Sequence, residues 1–123
     1  MTDQDLPTRQ PVLVEPLDHL RPGARLLRPR GRFHARTGIE LMTLIDGQRA
    51  QALDLLILDL TEPAAFGPVA LQIVVQIATD LRRAGVGLRL VGSEQAIGSP
   101  LTVAGVRSLF TLHATVGEAL TAR

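Results

Sequence analysis

The chain has 123 residues, a formal net charge of +1 and 46% apolar residues, enough for one ordinary domain and too apolar for a disordered chain. It contains no Cys, which excludes disulfides, thiolate metal sites and cysteine nucleophiles. With no Trp, no Tyr and three Phe, its core has to be aliphatic.

Residues 1–10 (MTDQDLPTRQ) are polar, unlike a secretory leader, and read as a flexible tail ahead of one domain over residues 11–123. Residues 11–17 (PVLVEPL) are apolar with prolines at both ends, which suits an edge strand. Pro22-Gly23 breaks the chain before a second strand over residues 24–33, where Pro29 has to face away from the ladder or sit at a bulge. Residues 36–51 predict a first helix, with Thr37 and Glu40 as a capping box. Ile39, Leu41, Met42, Leu44 and Ile45 form its apolar face, and Gly47 weakens or ends it. Residues 55–60 (LLILDL) are apolar on both faces except Asp59, as in a central parallel strand.

Residues 68–84 (PVALQIVVQIATDLRRA) predict the longest helix. Pro68 suits the first helical position, since its missing N–H would find no helical partner there. Gln72, Gln76, Asp80 and Arg83 mark one wet stripe. The apolar arc is wider than one sheet face needs, leaving exposed surface near Val69 and Ile73. Gly85 ends the helix, and residues 87–91 predict the next strand. Residues 93–98 read as loop. Ser99-Pro100 reads as a cap and first turn for a short helix over 100–104, followed by a strand at 110–112 and a helix at 116–122. This alternation predicts an α/β fold, a single mixed sheet of four or five strands with about four helices.

The segments LDLLILDL, PVALQIVVQIATDLRRA, GLRLVG, LTVAGVRSLF and TVGEAL, in this order and spacing, resemble the STAS family, the sulfate-transporter and anti-sigma-factor-antagonist domains. Leu58-Asp59-Leu60 keeps the family strand with its Asp, Ala104-Gly105-Val106 stands for Thr-Gly-Leu, and Glu118-Ala119-Leu120 matches the family ending. The resemblance covers residues 24–120 and departs from the family at two places. Gly31-Arg32-Phe33-His34 keeps only Gly31 and the apolar position of a Gly-Glu-Leu-Asp-like motif. The family's Asp-Ser-Ser-Gly turn is replaced by Gly67-Pro68-Val69-Ala70.

The resemblance implies a non-enzymatic bacterial regulator of transcription that binds a protein partner, an anti-sigma factor kinase. Its contact surface would comprise Asp59, Thr61, Phe66, Gly67, Pro68, Val69, Gln72 and Ile73. In the family, a Ser in this turn is phosphorylated and the added charge breaks the complex. Here that position is Pro68, so the turn holds no phosphoacceptor. An accessory subunit of a transport or stress-signalling complex is the alternative from the same resemblance. A homodimer stays open.

All thirteen basic residues are Arg, and six of them (Arg21, Arg25, Arg28, Arg30, Arg32, Arg36) fall within residues 21–36, which hold no acid. If that segment stays extended, Arg28, Arg30 and Arg32 share one face and could bind an anion or nucleic acid. Phe33 is the one Phe, Tyr or Trp within residues 21–36, too little aromatic surface for base stacking, so a solvated strand face is the favoured reading. His19, His34 and His113 are too scattered to predict a metal site. His34 reads as a helix-start residue, Thr61 as a strand-end residue and Asp59 as hydrogen-bonded at its strand end. No Ser-His-Asp order, Walker loop or dinucleotide turn is present, so neither an enzyme nor a cofactor is expected. No apolar run reaches the roughly 18–20 residues that cross a bilayer, and a cytoplasmic location is expected.

Overall fold

The computed structural model describes residues 12–62 and 66–122. The expected tail at residues 1–10 lies outside them.

One five-stranded sheet runs in the order β1 (Val12–Pro16), β2 (Ala24–Pro29), β3 (Leu55–Asp59), β4 (Gly87–Val91), β5 (Leu112–His113). The β1 strand pairs antiparallel with β2, and the other pairings are parallel. The β3 strand is buried along its whole length, as its unbroken apolar run predicts. Its side chains alternate between two packed layers. Leu56 and Leu58 meet α1 (Ala35–Arg49) and α2 (Pro68–Ala84) through Leu41, Ile45, Val74, Ile77 and Leu81. Leu55 and Ile57 meet α4 (Val116–Thr121) through Ala119, Val116 and Leu120. The short α3 (Ser99–Val103) adds Leu101 to the first layer.

The turn into β2 depends on Gly23, held at φ 77°. Its carbonyl accepts from Asp54 N–H and Leu55 N–H, at 2.8 and 3.1 Å, so it joins the starts of β2 and β3. A Cβ there would stand 2.7 Å from Asp54 Cβ.

Several local expectations change. The β2 strand ends at Pro29, not at residue 33, and Gly31 at φ 70° turns the chain. The α1 helix starts one residue early and is capped differently. His34 is its N-cap residue and Thr37 its third helical residue, where Thr37 Oγ1 accepts from His34 N–H at 3.3 Å and donates to Arg32 O at 3.0 Å. The predicted Thr37–Glu40 box is therefore displaced by three positions. Gly47 does not stop α1, which continues to Arg49.

Residues 94–98 are helical, not loop: Ser93 O accepts from both Ile97 N–H and Gly98 N–H, giving a wide π-type turn that runs directly into α3. Ser93 Oγ caps that turn by accepting from Ala96 N–H at 2.9 Å. Ser99, the expected cap, is already helical. The last strand falls at Leu112–His113, slightly later than predicted.

Candidate functional site

The α2 helix begins at the C-terminal ends of the parallel strands. Gly67 is extended (φ −93°, ψ −168°) and offers no side-chain cap, and Pro68 takes the first helical position. Leu71 N–H donates to Gly67 O at 3.0 Å, closing the first turn. The first turn contains no acidic residue, so nothing on the helix offsets the positive end of its dipole. Pro68, Val69 and Gln72 are exposed, and Phe66, Gly67 and Ile73 are half-buried. Gln76 Nε2 donates to Asp80 Oδ1 at 3.0 Å along the wet stripe.

Two apolar grooves flank this helix. One, of about 480 Å³, lies between α2 and α3 and is lined by Phe66, Pro68, Leu71, Pro100 and Val103. The other, of about 600 Å³, lies between α1 and α2 and is lined by Gly38, Ile39, Met42, Val69 and Ile73 among others. Val69 is 45% exposed, Ile39 69% and Val103 89%. The sequence places Ile39 on the apolar face of α1 and gives Val103 no role, yet both are exposed. Each stands two residues from a fully buried leucine, Leu41 or Leu101, which places it about 160° around the helix from that leucine. A helical wheel drawn on those leucines finds both.

Asp59 sits apart from this surface. It is 3% exposed and shares a sheet face with Leu55 and Ile57, which pack on α4. Its Oδ2 accepts from Arg28 Nε at 2.8 Å, and its Oδ1 accepts from Thr61 N–H and Thr61 Oγ1 at 2.9 and 2.6 Å. Asp59 and Thr61 thus form a strand-end network, and the apolar residues of α2 gather without them. Residues 63–65 of the connecting turn lie outside the described residues.

Three of the clustered arginines, Arg21, Arg25 and Arg28, go to separate structural contacts. Arg21 Nη1 donates to Leu120 O at 3.5 Å, and Arg89 Nη1 donates to the neighbouring Ala119 O, so two guanidinium groups serve the last carbonyls of α4. Burial lowers the Arg89 pKa from its ordinary value, and the nearby Arg21 charge adds to that. Arg25 is buried and donates to Gln48 Oε1, Asp18 Oδ1 and Gln51 O. Arg28 is paired with Asp59. Because β2 ends at Pro29, residues 28–32 do not continue as one extended strand. Arg30 is half-buried and Arg32 exposed.

Among the described residues no three of His, Asp and Glu gather as metal ligands. No helix there is long and apolar enough to cross a membrane.

The STAS domain model matches residues 16–119. The chain belongs to the STAS domain family. An anti-sigma factor antagonist from Mycobacterium paratuberculosis is 27% identical, with a TM-score of 0.74 over 90% of this chain and 91% of that one. SpoIIAA in its unphosphorylated form matches at 14% identity and a TM-score of 0.70, over 89% of this STAS domain and 92% of that chain. The phosphorylated form of the Bacillus protein, a cell fate determinant, gives 14% and 0.68 over 89% and 96%. At that identity the SpoIIAA likeness is one of fold. No curated protein sequence matches this STAS domain.

Proposed function

We propose that this STAS domain is a non-enzymatic regulatory module that binds a protein partner through the first turns of α2, in the manner of an anti-sigma factor antagonist, without a phosphorylation switch at that turn. The observation that carries this reading is the exposed apolar residues of the two grooves beside the start of α2, Val69 in one and Val103 in the other, at a helix start that offers neither hydroxyl nor carboxylate. Apolar patches rimmed by polar residues are typical protein contact sites. The 27%-identical antagonist from Mycobacterium paratuberculosis supports the same class of role. The partner expected is an anti-sigma factor kinase, and the residues expected to touch it are Thr61, Phe66, Gly67, Pro68, Val69, Gln72 and Ile73.

Titration of the purified chain against the anti-sigma kinases of its source genome tests the reading. Val69→Asp and Gln72→Glu should each weaken the complex at least about tenfold, because a buried unpaired charge in a contact costs more than about 1.4 kcal/mol. Arg107→Ala, at the Glu94 ion pair, should leave it unchanged. Equal affinity in all three variants would end this reading.

A further inference from the structure

The groove between α1 and α2 has features that the proposed partner surface does not use. At its floor the helices approach closely: a Cβ on Gly38 would stand 2.8 Å from Ile73 Cγ1. Ile39, 69% exposed, stands on its α1 wall and Val69, 45% exposed, on its α2 wall. Asp46 is the one charged group among the residues lining the groove. It is exposed, and its contact with Arg49 is long, at 3.9 Å between two side chains that are 77% and 44% exposed. One turn before Ile39 stands Arg36, also exposed and without a hydrogen bond or ion pair among the described residues. Along α1, exposed Arg36 therefore precedes the exposed Ile39 and exposed Asp46 follows it, with half-buried Glu40 four residues after Arg36 and Arg49 at the helix end.

Arg36 and Asp46 make a complementary pair when that order is reversed. Arg36 and Asp46 lie five residues to either side of Leu41, about 7.5 Å along the helix axis in each direction. Two α1 helices laid antiparallel about that level bring each Arg36 beside the other copy's Asp46, with the apolar residues between them. A two-fold axis makes both contacts at once, as in an isologous dimer.

We propose that this groove is occupied by a second copy of the chain, with the α1 helices antiparallel and Ile39 of each copy seated against the groove of the other. The inference stands on the groove and the charge order alone and needs no heterologous partner. It also gives that partner a competitor. The dimer covers Val69, Gln72 and Ile73, so self-association and partner binding exclude one another on α2, and the concentration of the chain sets how much surface is open.

Sedimentation equilibrium of the full chain alone, from about 1 μM to about 1 mM, tests this. A reversible dimer is expected. Ile39→Asp should raise its Kd at least about tenfold with an unchanged circular dichroism spectrum, since Ile39 is exposed. Arg36→Asp and Asp46→Arg should each raise the Kd by about threefold to tenfold, the scale of two exposed ion pairs per dimer. Combined, they should return it to within about twofold of the starting value, because the pair is restored with its sign reversed. Leu13→Asp on the sheet edge should change nothing. A chain monomeric throughout that range, a dimer indifferent to Ile39→Asp, or a double variant no better than its parents would each overturn the proposal.

Discussion

Arg28 Nε lies 2.8 Å from Asp59 Oδ2, across two neighbouring parallel strands, with the Asp side chain 4% exposed and the Arg side chain 28% exposed. The strands are paired as far as Leu27 and Leu58, so this ion pair continues the ladder by one step through side chains. The same carboxylate holds Thr61 by its N–H and its hydroxyl. Asp59 thereby closes the end of β3.

Removing one partner leaves the other poorly satisfied. Arg28→Met should destabilise the fold by about 1–3 kcal/mol, the scale for stranding a charged hydrogen-bonding group. Asp59→Asn should be milder in the Arg28→Met background than alone, because the stranded charge has then gone. Urea unfolding of the two single variants and the double variant measures this, and strictly additive values would show that the pair is not coupled.

Gly23 combines a left-handed φ of 77° with a close neighbour, Asp54 Cβ. Gly23→Ala should lower stability by about 2–3 kcal/mol, from the left-handed backbone cost and the approach to Asp54 Cβ. Gly67→Ala, at ordinary extended angles with open space around its Cα, should cost less. Chemical denaturation midpoints should separate the two.

The pKa of Asp18 is lowered from 3.8, first by the hydrogen bond from Gly23 N–H and then by the one from the Arg25 side chain. A carboxylate whose folded pKa is depressed stabilises the fold above its unfolded pKa and loses that contribution as pH falls through the folded value. The stability gap between the parent chain and Asp18→Asn should therefore be full near neutrality and shrink below about pH 4. Urea midpoints measured at both ends of that range check the sign. A gap that widens in acid would contradict it.

The start of α2 yields a gain-of-function test. Replacing Gly67 by Asp and Pro68 by Ser supplies a helix cap and a phosphoacceptor together. The cap contributes about 1 kcal/mol and first-turn Pro is merely well tolerated, so the double variant should fold with a Tm close to the parent's. With a cognate kinase and ATP it should gain one phosphate at position 68, located by mass spectrometry, while the parent gains none at this turn. Phosphorylation of the parent at Thr61, Ser93 or Ser99 with loss of partner binding would show a switch relocated to another element. Two of those hydroxyls already have structural work, Thr61 Oγ1 on Asp59 and Ser93 Oγ on Ala96 N–H.

The sequence pattern made the sheet and the large helices legible because burial enforces them. A run such as Leu55–Asp59 can only be central, and Pro68 with Gly85 brackets α2 from both ends. Termini set by single hydrogen bonds were harder to read. Thr37 looked like a cap and is instead the residue that answers His34. Ser99 looked like a cap although Ser93, six residues earlier, starts the helical path. The arginine cluster misled in another way. A face shared by Arg28, Arg30 and Arg32 required the strand to continue, and β2 ends at Pro29; of the others, Arg21 turns to α4 and Arg25 to the end of α1, while Arg28 turns to β3. Those destinations are tertiary, and no local pattern encodes them. At the candidate site the apolar excess near Val69 was visible in the composition of α2, while Ile39 and Val103 required knowing which leucines point inward.

Pro68 does more than delete a hydroxyl. Its ring fixes φ at the entrance to α2, and the helix behind it is anchored by Ala70, Val74, Ile77 and Leu81, all buried. A segment that must order itself on contact loses conformational freedom at that moment, and affinity falls accordingly. Here the backbone of the first turn is rigid beforehand, so that loss is already met in folding. On the proposed reading, the residue that leaves this turn without a phosphoacceptor also stiffens the docking edge, giving a preorganised contact in place of an adjustable one.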